Sequence, residues 1–447
     1  MKQKASRSFK SGKKALLKIA VLAVVAFFIA GCTDSAGEKD SPGKAATSDK
    51  VAAATDTAAA SGKQTDAQRT PAGKQSDAVK KDTSSADDGE IFLQDLPPVP
   101  SKPGMAENTR FSMVYTTDVF GEIEHCGCPG HPRGGLARRV EYVQKLEEKG
   151  PVLQVDAGNL FFPYRGRAPR INETQKERAQ VLAKGMSRLG VHAVNVGYQD
   201  IQASVDDLKE LTAPENMDPV PLVCANLYTA EGERVFAPYQ VVGIEGVQVA
   251  ILGMMGPGDL YGKKNLEIKD PVKAASALVP YLKDKCDLLV LLYAGDFKDL
   301  NQLVKNVKGI DIAVVSSRSS RITHRPFIAG ETLVLQSGRK GMYLGQMDLT
   351  VNKEVRQKMS EKDRAALQEK LDRLRAQQKL LTGPAVRDPD LRKEHNRVTR
   401  QIDTISRKLA TSISKLDYKN HIVSLDTDLP EDEKTRQWMD QVLNKQK

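Results

Sequence analysis

The residues best able to do chemistry lie in one short loop, Glu124-His125-Cys126-Gly127-Cys128-Pro129-Gly130-His131. A Cys-x-Cys pair flanked by histidines on a Gly/Pro-rich stretch admits three chemistries. It can close a strained, reducible disulfide. It can hold a soft metal such as Zn²⁺ or Cu⁺ through Cys126, Cys128 and either His125 or His131. It can also be a structural disulfide or a passive loop, since close cysteines in an exported chain tend to be oxidised. The spacing is neither Cys-x-x-Cys nor the Cys-x-x-Cys-His of haem attachment. Cys224 and Cys286 lie in or beside apolar runs and read as core residues, although four extracytoplasmic thiols leave three pairings open. A second set of polar residues, Asp118, Asp156, Asn159, Asp200 and the serines of 316–320, follows directly on short apolar runs.

Those runs are the elements that must position them. Residues 111–115, 152–155, 193–196, 222–225, 247–252, 288–292, 310–315 and 332–335 are short, rich in β-favouring residues and bounded by Gly or polar residues, the pattern of buried strands. Helical patterns fall between them, notably 135–149 and 174–189. Alternation of this kind predicts a layered α/β domain. In such sheets ligands sit beyond the carboxyl ends of the strands, where Asp118, 156–159, 197–200 and 316–320 lie.

Residues 111–350 resemble the metallophosphatase domain of the periplasmic 5′-nucleotidases, in the calcineurin-like metallophosphoesterase superfamily. The matching text is Tyr115-Thr116-Thr117-Asp118-Val119-Phe120, Gly134-Gly135-Leu136-Ala137-Arg138-Arg139, Asp156-Ala157-Gly158-Asn159, Asn195-Val196-Gly197-Tyr198-Gln199-Asp200, Ala225-Asn226, and Tyr343-Leu344-Gly345-Gln346-Met347-Asp348-Leu349. The resemblance implies a four-layer α/β sandwich, two mixed sheets flanked by helices; the sequence beyond it reads as a C-terminal α-helical hairpin. It also implies a site for two metal ions that activate water, and here this sequence departs from the family. The Asp of Asp-x-His is Asp118, but the His is Phe120. The bridging Asp is Asn159, the Asn and His of Gly-Asn-His-Asp are Tyr198 and Gln199, and Tyr293-Ala294-Gly295 stands where a further His is expected. The closing Gly-His-x-His is Ser316-Ser317-Arg318-Ser319. Asp118, Phe120, Asn159, Tyr198, Gln199, Ser317 and Ser319 are therefore read as vestigial metal positions, with Arg318 and Arg321 adding positive charge. No metal or other cofactor is expected. The alternative is a hydrolase with an unusual divalent-metal site (Mn²⁺, Zn²⁺ or Ca²⁺), using His125 or His131.

The ends of the chain say where it works. Residues 1–31 carry seven Lys/Arg and no acid, followed by an apolar run from Ile19 and then Ile29-Ala30-Gly31-Cys32. A basic start, a short apolar core and small residues describe an export signal, and the last four resemble a bacterial lipobox with Cys32 as the lipidated residue. An uncleaved single-helix anchor is the alternative, though the run is short of the roughly 20 residues that span a bilayer. Thr33, rather than Asp, follows Cys32, which favours the outer membrane. Residues 32–104 are rich in Ala, Ser, Thr, Asp, Lys and Gly and read as a disordered linker, with an r.m.s. reach of roughly 45 Å.

Beyond the α/β domain (105–352), residues 353–418 carry apolar stripes, Leu367-Leu371-Leu374-Leu381 and Val398-Ile402-Ile405-Leu409-Leu416, separated by Gly383-Pro384. They predict an antiparallel helical hairpin or coiled coil, the candidate surface for a protein partner. Residues 419–447 form a final segment with a short helix and Trp438. The net charge of +10 owes seven units to residues 1–31, and residues 105–350 carry 29 bases and 29 acids, so the charge speaks for export and against nucleic acid. The expected function is a lipid-anchored binding or thiol-redox module in the cell envelope.

Overall fold

The computed structural model describes residues 89–446, except 127–129, 165–170, 259, 261, 320, 358–360, 383–387 and 411–412. The export signal, Cys32, most of the linker, Cys128 and the arginines of 165–170 lie outside the described residues.

Two six-stranded sheets face each other. The first contains β1 (Asn108–Thr116), β2 (Val152–Asp156), β3 (Ala193–Asn195), β4 (Leu222–Val223), β13 (Tyr343–Gln357) and β14 (Ile413–Ser424) in the order β14-β13-β1-β2-β3-β4. The second contains β6 (Tyr239–Ile244), β7 (Val247–Met255), β9 (Leu288–Ala294), β10 (Ile312–Ser316), β11 (Phe327–Ala329) and β12 (Thr332–Leu335) in the order β11-β12-β10-β9-β7-β6. A ribbon of β5 (Leu227–Thr229) and β8 (Leu266–Ile268) stands apart. β1 to β4 run parallel, as do β7, β9, β10 and β12, and antiparallel strands complete both sheets.

The apolar runs are continuous rather than alternating because both faces of these strands are covered. β7 and β9 are buried at every residue. Between the sheets lie Met113, Tyr115, Leu153, Val249, Leu292 and Val314. The outer face of the first sheet is covered by α1 (Leu136–Glu147), α2 (Glu173–Arg188) and α8 (Glu433–Leu443). That of the second is covered by α4 (Pro271–Lys283) and α5 (Phe297–Asn306). This is the expected four-layer sandwich. α2 begins at a capping box in which Asn172 and Gln175 satisfy each other's backbone N–H.

Two boundaries differ from the expectation. The hairpin, α6 (Glu361–Thr382) and α7 (Pro389–Ala410), is inserted between β13 and β14 and does not follow the sandwich. Leu416 therefore belongs to a strand and not to the helical stripe. After residue 412 the apolar period changes to two, Leu416, Tyr418 and Ile422 turn inward, and β14 pairs with β13 along its length. The hairpin closes its own core of Leu371, Leu374, Leu381, Val398, Ile405 and Leu409.

The end of the predicted linker is also packed. A 3-10 turn at Glu90–Leu93 buries Phe92 to 2% exposure against Tyr228. Arg234 donates to the carbonyls of Phe92 and Gln94, and Tyr239 to that of Pro97. Phe92, the partly buried Ile91, Leu96 and Val99, and the satisfied carbonyls offset the ordering cost of this short strap. Among the described residues no helix is long and apolar enough to cross a membrane.

Candidate functional site

The carboxyl ends of β1, β2, β3, β9 and β10 bring the expected polar residues together. Asp118, just beyond β1, is fully buried. Its Oδ1 accepts from Asn159 Nδ2 at 2.9 Å, and its Oδ2 accepts the backbone N–H of Ser317 and of Arg318, each at 3.0 Å. The orientation of the Asn159 amide is set by both neighbours, because its Oδ1 accepts the Gln199 N–H at 3.0 Å and its NH₂ faces a carboxylate. Ser316 ties the strands together, accepting from Asp118 N at 3.0 Å and donating to the Gly158 carbonyl at 2.7 Å. Asp200 accepts three backbone N–H groups, from Asn159, Gly197 and Phe161. Gly197 is obligatory here: a Cβ would come within 2.4 Å of Asn159 Oδ1.

The backbone is strained where these groups meet. Asp118, Phe120, Asn159, Arg318 and Lys340 all have φ between 51° and 60°, the left-handed region that non-glycine residues rarely occupy. Such conformations persist where the surroundings over-determine them, and here the hydrogen bonds around Asp118 and Asp200 do so.

Burial dominates the electrostatics. It pushes Asp118 up to about 7, against hydrogen bonds from Asn159 and the backbone, and Asp200 also to about 7. Asp156, the last residue of β2, is pushed up to about 6 by burial and partly offset by the charge of Arg139. It accepts from Thr116 Oγ1 at 2.5 Å and Gly158 N at 2.8 Å. Arg139 is itself buried, with its Nε and one Nη lacking a hydrogen-bond partner among the described residues. Arg138 and Arg139 are both buried; Arg138 pairs with Glu431 at 3.1 Å, just before α8, and Arg139 lies in the field of Asp156. The Gly-Gly-Leu-Ala-Arg-Arg text signals a helix start but gives no sign of what α8 covers.

The remaining expected residues take non-ligand roles. Tyr198 donates to the Gly256 carbonyl at 2.6 Å, beneath the Arg318 guanidinium at 5.9 Å from its ring centroid. Phe120 packs against Tyr164. Tyr293, where a His was expected, is buried with its hydroxyl unpartnered among the described residues. Ser317 and Ser319 are joined through the buried Gln336, which the sequence reading did not single out. With Asp296, Phe297 and Arg321 they line an open depression of about 520 Å³. Among the described residues, no group of three or more His, Cys, Asp or Glu could hold a metal ion. The donor set does not fit the two cations the fold family implies. An amide NH₂ and two backbone N–H groups point at the Asp118 carboxylate, so three of its four or so lone-pair sites are already taken by donors.

His125 and Cys126, the described start of the Cys-x-Cys text, lie alongside. Cys126 N donates to the Arg133 carbonyl at 2.7 Å, and Cys126 Sγ accepts the Arg133 N–H at 3.4 Å. His125 bridges to Gly134 in an antiparallel pair, and its ring Nδ1 lies 3.1 Å from the Cys126 carbonyl. His131 is exposed. Cys224 and Cys286 are free, buried thiols in separate core clusters, each with its pKa pushed up by burial. His421 has an acidic neighbour, Asp348 at 3.4 Å.

No protein-family model matches the sequence. The 5′-nucleotidase of Vibrio vulnificus is 25% identical over 213 residues, covering 45% of this chain and 36% of that protein. Endonuclease YhcR of Bacillus subtilis is 24% identical over 246 residues, covering 49% of this chain and 20% of its own length. Among solved structures, the Thermus thermophilus 5′-nucleotidase precursor aligns over 75% of this chain and 59% of its own, with a TM-score of 0.50 at 18% identity. The calcineurin-like phosphoesterase YfkN of Bacillus subtilis aligns over 76% and 98%, with a TM-score of 0.50 at 16% identity. The chain has the fold of the 5′-nucleotidase-like metallophosphoesterases. It spans about a third of the length of the curated 5′-nucleotidases it matches.

Proposed function

We propose that this metallophosphoesterase-fold chain is a non-hydrolytic, extracytoplasmic module, tethered to a membrane through lipid on Cys32, that works by binding partners and by thiol chemistry at Cys126 and Cys128. The observation that carries the reading is the 2.9 Å hydrogen bond from the Asn159 amide to Asp118. A neutral amide that donates to the neighbouring carboxylate takes the place where a shared carboxylate would hold two cations together. The basic start and the Ile29–Cys32 text support export and anchoring, with the outer membrane favoured by Thr33. The self-contained hairpin α6–α7, with its polar outer faces, is the part best suited to a protein partner.

The full chain, assayed with a phosphomonoester and with a nucleotide in added Mn²⁺, Zn²⁺ or Ca²⁺, should show no turnover. Turnover that Asp118→Ala abolishes would establish the rival reading, a hydrolase resembling the 5′-nucleotidases but with a noncanonical metal site. For the loop, thiol titration and a measured reduction potential should show a reversible Cys126–Cys128 couple. Stoichiometric Zn²⁺ or Cu⁺ that is lost in Cys126→Ser would instead assign a soft-metal site using His125 or His131. Cysteines that are inert, with Cys126→Ser altering stability alone, would make the loop structural.

A further inference from the structure

We propose a ligand site on the outer face of the first sheet that takes a small oxyanion: a phosphate, a sulfate or a carboxylate. It lies toward the amino end of β1, opposite to the end that carries Asp118, and it does not depend on the thiol or partner readings above.

The alternation of β1, β13 and β14 builds it. Phe111, Met347, Leu349 and Leu416 face the core between the sheets, so the residues beside them in the chain face outward. Strand register sets these in two rows, Arg110-Thr350-Asp417 and Ser112-Asp348-Lys419. Lys149, in the turn after α1, joins them, and together they line a cavity of about 410 Å³. That volume lies in the range of small-ligand pockets.

The charges in this cavity are not matched to one another. Lys419 stands directly across from Asp348 in the register, where opposite charges ordinarily pair. Asp348 takes other neighbours instead. Its Oδ1 accepts from Ser112 Oγ at 2.8 Å and from Gln346 Nε2 at 2.7 Å, and its Oδ2 lies 3.4 Å from His421 Nε2. The Gln346 amide is itself held by Tyr142, whose hydroxyl donates to Oε1 at 2.6 Å. Asp417 Oδ2 accepts from Asn352 Nδ2 at 3.2 Å. Arg110, Lys149 and Lys419 are exposed and make no ion pair or side-chain hydrogen bond among the described residues, and the Thr350 hydroxyl is likewise unpartnered there. Elsewhere Arg178, Arg188, Lys283 and Lys340 each meet a carboxylate within 3.4 Å, so the lack of partners is local to this cavity.

An oxyanion suits the groups left over. Long side chains from β1, β14 and the end of α1 approach one space from three directions. An oxyanion has the lone pairs to accept from a guanidinium, two ammonium groups and a hydroxyl together. Lys149 also complements the carboxyl end of α1, so the test leaves it in place. Without a ligand the cavity holds like charges near one another, a cost that solvent keeps small and that a bound anion removes.

Isothermal titration calorimetry of the full chain with inorganic phosphate at low salt should find a site with a Kd of about 1 mM. Arg110→Gln and Lys419→Gln should each weaken it about tenfold, while Lys419→Arg, which keeps the charge, should retain most of the affinity. Arg321→Gln, in the depression beside Ser317, should leave it unchanged. Urea unfolding without phosphate should find both Gln variants as stable as the parent. Binding that survives Arg110→Gln/Lys419→Gln, binding lost in Arg321→Gln, or no binding up to about 20 mM phosphate overturns the inference. So does a loss of stability in the Gln variants without phosphate, which would make these cations structural. Phosphatidylglycerol vesicles at matched phosphate form a second arm. Binding of free phosphate alone assigns a soluble ligand, and vesicle binding that the same variants weaken assigns a lipid headgroup as the source.

Discussion

Placing a carboxylate beside Asp118, Asn159→Asp, is the sharpest probe of this site. Asn159 Nδ2 and Asp118 Oδ1 are 2.9 Å apart, so the substitution sets two carboxylates in contact in a buried place. At an effective dielectric of about 20, two unit charges at that distance repel by about 6 kcal/mol, equivalent to about four pK units. The pair therefore keeps one shared proton far above the pH at which either would release it alone. In the unmodified protein Asp118 releases its proton near pH 7, because burial raises it to about 7. A folded-state carboxyl pKa above the unfolded value means that the folded state binds more protons, so stability falls as pH rises through the interval between the two. For Asp118 that interval runs from about 4 to about 7. For the pair it continues upward. The stability gap between variant and parent should then widen by about 1.4 kcal/mol per pH unit above 7, or about 3 kcal/mol between pH 7 and pH 9. Urea unfolding of both proteins at the two pH values, with a chelator present, measures it. A gap that stays flat with pH, or a variant as stable as the parent at pH 9, refutes the hydrogen-bonded account of this site.

Three further outcomes follow from the packing. Asp432 caps α8 through Thr435 N at 2.8 Å and pairs with both Nε and Nη2 of Arg188, so Asp432→Ala should cost about 2–3 kcal/mol in urea unfolding at pH 7. Burial alone would raise the Asp432 pKa, but Arg188 and Thr435 bring it below the ordinary value. That stabilisation should be present above the ordinary carboxylate pKa and lost as pH falls toward the lower folded value, so the Asp432→Ala cost should shrink when unfolding is repeated in acid. Phe92→Ala, which empties the strap's one buried aromatic, should destabilise the domain by about 3 kcal/mol; a loss under about 0.5 kcal/mol would mean that the strap does not hold. Gly345→Ala would place a Cβ 1.9 Å from the Tyr115 ring and should abolish soluble expression, whereas Gly243→Ala, with open space around it, should not.

Much of the sandwich was legible in the chain because strands buried on both faces leave continuous apolar runs. β2 and β12 fall where those runs do, and α1 and α2 within two residues of their predicted ends. The strand that breaks the pattern is β14. Its partner β13 lies on the far side of a two-helix insertion, so the period-two pattern of Leu416, Tyr418 and Ile422 does not say which strand it joins. The strap at 90–100 was missed for a similar reason, since one Phe among prolines and acids looks like linker until Tyr228, Arg234 and Tyr239 are beside it.

The candidate site divides the same way. Residue identity puts Phe120, Asn159, Tyr198 and Gln199 in the chain whatever the fold. What they do there was decided in three dimensions. Asp118, Asn159, Gln199 and the 316–318 turn come from four separate stretches, and only their convergence makes an amide and two backbone N–H groups donate to one carboxylate. Burial then sets the charge behaviour of Asp118, Asp156 and Asp200, because desolvation belongs to surroundings that distant residues create.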